Sequence, residues 1–165
     1  VEAFNSLAPK YPEVTFEMAI RPHWNEIDGI TTLESEHENV HIHKFPYQDG
    51  VTLADLVTGS CIIALPFRKH SIHPQLAIAE SLSAGVPVIT SDLGSAPELV
   101  QDGKTGRVVP VGDVQATTDA IDQLLADPDG TKAMGVDASE TMKNEWGWDH
   151  YVEEITKVYE MVVSQ

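Results

Sequence analysis

Basic side chains are scarce in this chain of 165 residues: 10 Lys and Arg face 26 Asp and Glu, a net charge of −16. Such a chain lacks the basic face that nucleic acid requires, and anionic lipid headgroups would repel it. Cysteine is nearly absent. Cys61 stands alone in an apolar run, so no internal disulfide can form, and a reducing, cytoplasmic compartment is the simplest expectation. No stretch approaches the roughly 20 apolar residues that span a bilayer. No charged-then-apolar leader opens the sequence, so nothing in it signals secretion.

What is present suffices for a core. Hydrophobic residues make up 42% and aromatics 7%, which excludes a disordered tail, and the length suits one domain. The acids are scattered, with Glu34, Glu36 and Glu38 the densest group. That pattern reads as a solvated surface with a large net field. Adaptation to high salt is one cause of such a surface; an ordinary acidic cytosolic protein is the other.

Short apolar runs alternate with helical stretches. Val1, Phe4 and Leu7 mark the end of a helix already under way, and Val14–Ile20 is a strand by its β-branched content. Residues 22–38 read as a loop with a short helix. Val40–Phe45 alternates like a strand with one wet side, Asp49-Gly50 is a turn, and Leu53–Gly59 is a short helix. Cys61–Leu65 is continuously apolar, as in a parallel strand covered on both faces. A helix over Pro74–Ala84 stops at Gly85, and a strand follows over Val86–Thr90. Ser95-Ala-Pro-Glu98 has the form of a capping box, and Arg107–Val109 is a short strand. Val114, Thr118, Ile121 and Leu125 stripe a helix capped by Asp113 and ended by Pro128. A polar helix over 130–143 and a final amphipathic helix striped by Trp148, Val152, Ile155, Tyr159 and Val162 complete the chain.

This order predicts an α/β fold: a Rossmann-like, mostly parallel sheet with helices on both faces. Ligands of such folds bind at the carboxyl ends of the strands, which directs attention to the loops after Leu65 and Thr90. In the first, Arg68, Lys69 and His70 bring positive charge to an acidic chain. Pro74 suits a first helical position. Backbone N–H groups around His73, Gln75 and Leu76 would then face the crevice as an anion site suited to a diphosphate. Glu80 lies about 9 Å along that helix from Pro74 and leans back toward its start. It is a lone acid among small residues, and an unpaired charge is costly to bury. A carboxylate accepting two vicinal sugar hydroxyls is one use for it; an exposed surface glutamate is the other.

The run from Gln75 to Asp92, then Gly94-Ser-Ala-Pro-Glu98, Asp102-Gly-Lys-Thr-Gly106 and Val109-Pro-Val-Gly-Asp113 resembles the C-terminal, donor-binding domain of family 4 (group 1) glycosyltransferases of the type B, two-Rossmann-domain fold. Glu2-Ala3-Phe4 fits the first helix of that domain, and Trp148 with Tyr159 fits its closing helix. The resemblance implies transfer of a sugar from a nucleotide diphosphate donor to an acceptor such as a glycan or lipid. Configuration would be retained, with no metal or other cofactor beyond the donor itself. Glu80 matches the second glutamate of the family's paired-glutamate motif, which holds the donor ribose. The first glutamate falls at Ile72, and the Gly-Phe-Gly that tends to follow it is replaced by His73-Pro74-Gln75. The sugar-side contact is therefore altered, with His73 as a substitute hydrogen-bonding group. Phe45 to Tyr47 match the region that flanks the base.

The resemblance also implies that residues 1–165 are a single donor-binding domain. The family's first strand, its diphosphate-binding Arg and Lys, and the acceptor-binding N-terminal domain would precede Val1. No catalytic residue is assigned within this chain, which would be inactive by itself. Its partners would be the nucleotide sugar and the N-terminal domain, through which the parent could sit at a membrane. Arg68 and Lys69 should be concentrated at the crevice, with the acids on remote faces. Sugar-nucleotide epimerases share the two-domain fold and are one alternative; a non-catalytic nucleotide-sugar module, suggested by Ile72, is another. A histidine metal centre would need His41 and His43 to converge with His70 and His73. The spacing fits no standard site, and solvent-facing histidines on a half-wet strand are the preferred reading.

Overall fold

The computed structural model describes residues 1–20, 35–44, 50–69 and 75–164. Helix α1 (Glu2–Leu7) leads to strand β1 (Phe16–Ile20), which pairs in parallel with β2 (Val40–Lys44), Phe16 opposite Val40. Then follow α2 (Leu53–Gly59), β3 (Ile63–Leu65), α3 (Leu76–Ser83), β4 (Val88–Ser91), α4 (Ala96–Leu99) and β5 (Gly106–Val109). Three helices close the chain: α5 (Val114–Ala126), α6 (Pro128–Glu145) and α7 (Trp148–Val163). All strand pairings among the described residues are parallel, in two ladders, β1-β2 and β3-β4-β5. The α/β class is as the sequence predicts.

Helices cover both faces. On one, Leu7 of α1 with the adjoining Ala8 and Ala120, Ile121 and Leu124 of α5 pack with Phe16, Val40, Ile89 and Val109. On the other, Ile78 and Leu82 of α3, Ala96 and Leu99 of α4 and Ala138 and Met142 of α6 pack on Val88. The first cluster joins residues of both ladders, so the ladders lie side by side over one core. Strand β4 is central, with all of its residues buried.

Local chemistry sets the element ends. Thr52 and Asp55 form a reciprocal capping box on α2. Asp113 accepts from the Ala116 N–H at the start of α5, and Asp127 from the Gly130 N–H at the start of α6. Asp102 accepts from the Val108 N–H at 2.9 Å and from Arg107 Nε at 3.1 Å, fixing the entry into β5.

Several expectations change. The run Cys61–Leu65 is not covered on both sides. Cys61 is exposed and Ile63–Leu65 are half-buried, because one edge of β3 borders a cavity instead of a strand. Helix α3 begins at Leu76 with Gln75 at its N-cap, so Pro74 is not its first residue. Ser95 makes no capping hydrogen bond, and the proposed box with Glu98 does not form. Pro128 opens α6 instead of merely ending α5, since a first-turn residue needs no N–H partner. The buried stripe of α5 runs through Thr117, Ala120, Ile121 and Leu124, rotated from the predicted one. The apolar stripe of α7 is not buried: Trp148 is 80% exposed and Tyr159 65%. No helix among the described residues is long and apolar enough to cross a membrane.

Candidate functional site

The starts of two helices, α1 and α5, meet at the carboxyl side of the strands. There a cavity of about 440 Å³ is bordered by Val1 and Glu2 before and in α1, Pro66 and Arg68 after β3, and Gly112 and Asp113 before α5. Each helix start carries partial positive charge and N–H groups without intrahelical partners. The sequence singled out only the start of α3. It missed the starts of α1 and α5, for which Gly112 at φ 76° before the capping Asp113 was a legible signal.

At α3, Gln75 is buried and gives no side-chain cap, so the Leu76 and Ala77 N–H groups are left for another acceptor. Ile78 and Ala79 already donate to the Gln75 carbonyl. Leu76 itself is 64% exposed. Glu80 follows Leu76 by four residues and shares its face of the helix, about 6 Å further along the axis. It is exposed, not buried, and borders the larger cavity beside β3. No hydrogen bond or ion pair holds its carboxylate among the described residues. At the end of β4, the buried Ser91 hydroxyl also lacks a partner among the described residues, a feature the sequence reading passed over.

Arg68 is exposed at the crevice but shares it with Glu2 and Asp113, so cations are not concentrated there. Three other described cations are held in ion pairs away from it. Lys10 pairs with Asp122 at 2.6 Å, Arg107 with Asp102 at 3.1 Å, and Lys157 with Glu153 and Glu154. Arg68 lies where the sequence places it, but Glu2 and Asp113 at the crevice depart from the expectation that acids keep to remote faces. Phe45, Tyr47, Ile72, His73 and Pro74 lie outside the described residues, as do His70 and residues 21–34. The predicted donor-site residues that are described, Arg68, Gln75, Leu76 and Glu80, all belong to β3's exit loop and α3.

His41 and His43 do share a strand face, but they turn to Glu17 on β1. Glu17 Oε1 lies 3.0 Å from His41 Nδ1, and Oε2 lies 2.5 Å from His43 Nε2. Among the described residues no group of His, Cys, Asp or Glu is arranged to hold a metal ion.

A parallel α/β layer structure with its crevice at the strand ends defines a doubly wound ligand-binding domain. Within that class the chain belongs to the group 1 glycosyl transferases, whose family model matches residues 1–127. The GDP-mannose-dependent alpha-(1-6)-phosphatidylinositol monomannoside mannosyltransferase of Mycolicibacterium smegmatis is 48% identical over 69 residues, covering 42% of this chain and 18% of the relative. The D-inositol 3-phosphate glycosyltransferase of Mycobacterium leprae is 27% identical over 162 residues, 95% of this chain and 37% of the relative. The chain thus spans 18% to 37% of the length of these relatives.

Solved structures share the fold. The C-terminal domain of the group 1 family glycosyl transferase LpcC from Francisella tularensis superposes with a TM-score of 0.77 at 18% identity, over 89% of this chain and 77% of that one. The Anabaena protein HepE in complex with UDP gives 0.73 at 20% identity, over 99% and 45%.

Proposed function

We propose that this chain is the donor-binding part of a longer retaining glycosyltransferase, which moves a sugar from a nucleoside diphosphate sugar to a glycan or lipid acceptor. The observation that carries this reading is Glu80: a carboxylate with no partner among the described residues, one turn into α3, on the face of two N–H groups that no described side chain caps. The N–H groups and helix dipole suit a diphosphate, and the carboxylate suits vicinal ribose hydroxyls. As the bond to the sugar breaks, negative charge grows on the leaving diphosphate, which these donors would stabilise.

A relative named for GDP-mannose dependence and a UDP-bound neighbour support the donor class. Ile72 stands where the family pattern has a glutamate toward the donor sugar, so donor choice would rest on other groups, His73 among them. The acceptor site and catalytic groups would belong to the remainder of the polypeptide, whose other domain would meet the apolar face of α7. A cytoplasmic setting, a reduced Cys61 and a reaction without metal complete the proposal. Calorimetric titration of the full-length protein with GDP and UDP tests it. Micromolar binding that Glu80→Gln weakens supports the donor assignment; binding indifferent to Glu80 removes it.

A further inference from the structure

Strand β5 ends the β3-β4-β5 ladder: β4 flanks it on one side, and no described strand flanks it on the other. Such an edge is a row of N–H and C=O groups that a further strand can join. Which groups form the row follows from the ladder. Val88 donates its N–H to the Thr105 carbonyl, and Asp92 donates to the Val109 carbonyl. Thr105, Arg107 and Val109 therefore turn their backbone groups toward β4. Backbone groups alternate sides along a strand, so those of Gly106 and Val108 turn outward.

The chain itself occupies that row. Gly103 donates its N–H to the Gly106 carbonyl at 2.9 Å, and Val108 donates its N–H to Asp102 Oδ1 at 2.9 Å. The turn before β5 thus stands where a neighbouring strand would, with Asp102 in a one-residue parallel bridge to Gly106. The Asp102 carboxylate takes the place of the carbonyl that such a strand would offer. Gly103 reverses the chain at φ +77°, where a side chain would be strained. The buried Thr105 fixes the turn: its hydroxyl accepts the Gln101 N–H, and its own N–H donates to the Gln101 carbonyl.

A cation is tied to the same oxygen. Arg107 donates from Nε to Asp102 Oδ1 at 3.1 Å and from Nη1 to Gln123 Oε1 of α5 at 2.6 Å. Its charge is thereby held at the rim of the strand, and charged side chains oppose pairing at an edge. The strand that fits this edge by symmetry is β5 of a second copy. A twofold axis at Arg107 would set Gly106 opposite Val108 of the other copy, in antiparallel pairing with two N–H···O bonds at each end. The same axis would bring the two Arg107 residues opposite each other, and like charges so placed destabilise a pair.

We infer that Asp102 guards this sheet edge: by taking the Val108 N–H and holding Arg107 at the rim, it keeps β5 from pairing with β5 of a second copy. Without it the edge is an interaction surface for another copy of this chain. The inference stands on the hydrogen bonds along β5 and is independent of the donor chemistry.

Light scattering and hydrogen exchange on the full-length protein test it, in enough sodium chloride to screen the net charge of −16. Asp102→Ala combined with Arg107→Val is expected to double the wild-type particle mass as concentration rises about 100-fold. Asp102→Asn, which keeps an oxygen for the Val108 N–H, is expected to match the wild type in mass. In the single Asp102→Ala variant at low concentration, the Val108 amide should exchange at least about tenfold faster than in the wild type. An unchanged Val108 rate there would overturn the inference, whether or not the double variant folds. A double variant that keeps the Val88 and Asp92 amides protected and yet stays at the wild-type mass would overturn it as well. So would a doubled mass in which the Val108 amide stays fast, because the copies would then meet elsewhere.

Discussion

Gly135 of α6 packs against the carbonyl of Gly85, the residue that turns the chain from α3 into β4. A Cβ at position 135 would sit 2.2 Å from that oxygen, and Gly85 itself holds φ at +78°. The obstacle is backbone on both sides, so no side chain can swing away. Gly135→Ala is therefore expected to cost about 1–3 kcal/mol by overpacking, read as a lower urea midpoint at constant slope. An unchanged midpoint would mean that α6 slides away from the turn without loss.

How much of this was legible beforehand differs by element. Leu53–Gly59 was readable to the residue because its cap, Thr52 with Asp55, is local chemistry. The covered character assigned to Cys61–Leu65 was not, because hydrophobicity reports what a strand prefers and not what lies beside it. The face of α7 misled for the same reason: its periodicity is real, but none of the described residues buries it. At the site, Glu80 was found by its isolation in sequence. The Ser91 hydroxyl, without a partner among the described residues, and the convergence of α1 and α5 depend on which strands are neighbours, which no local pattern encodes.

Asp122 on α5 accepts from Lys10 Nζ at 2.6 Å and from the Tyr11 hydroxyl at 2.7 Å. The Lys10 contact first, then that of Tyr11, holds the Asp122 carboxyl below its usual value of 3.8. Its contribution to stability is present above 3.8 and is lost as pH falls through the lower folded value. The same contacts raise Lys10 above 10.5 and Tyr11 above 10.0. Their contributions are complete below those values and are lost as pH rises through the folded ones. Asp122→Asn is expected to flatten both limbs of a stability-against-pH curve, measured by urea unfolding. Limbs identical to those of the wild type would show that the exposed cluster contributes nothing.

Net charge of −16 makes stability depend on salt. Raising ionic strength from 0.1 to 1 M shortens the screening length from about 10 Å to about 3 Å. Relief of self-repulsion should outweigh the weakening of the few exposed ion pairs. The melting temperature is expected to rise by about 3–6 °C over that range in sodium chloride. A fall would show that paired charges dominate.

For the donor site, Glu80→Gln in the full-length protein should weaken nucleoside diphosphate binding by about 10- to 100-fold. That is the worth of hydrogen bonds to a charged acceptor, about 1.5–3 kcal/mol. Excess EDTA should leave transfer unchanged. An EDTA-sensitive reaction restored by a divalent cation would refute the metal-free part of the proposal.

Helix α7 presents Trp148, Tyr151, Val152, Tyr159 and Val162 to solvent on one face, while Glu153, Glu154 and Lys157 pair among themselves on the other. An apolar stripe of that extent on one helix suits a contact surface. Under the proposed function, the remainder of the longer polypeptide is the expected partner. Burial of a large apolar side chain contributes about 1.5–3 kcal/mol, so Val152→Glu with Tyr159→Glu should lower the melting temperature of the full-length protein by at least about 5 °C. In the 165-residue chain the same pair should shift it by about a degree at most, since both side chains are already in water. Equal shifts in the two proteins would mean that α7 meets nothing beyond this domain.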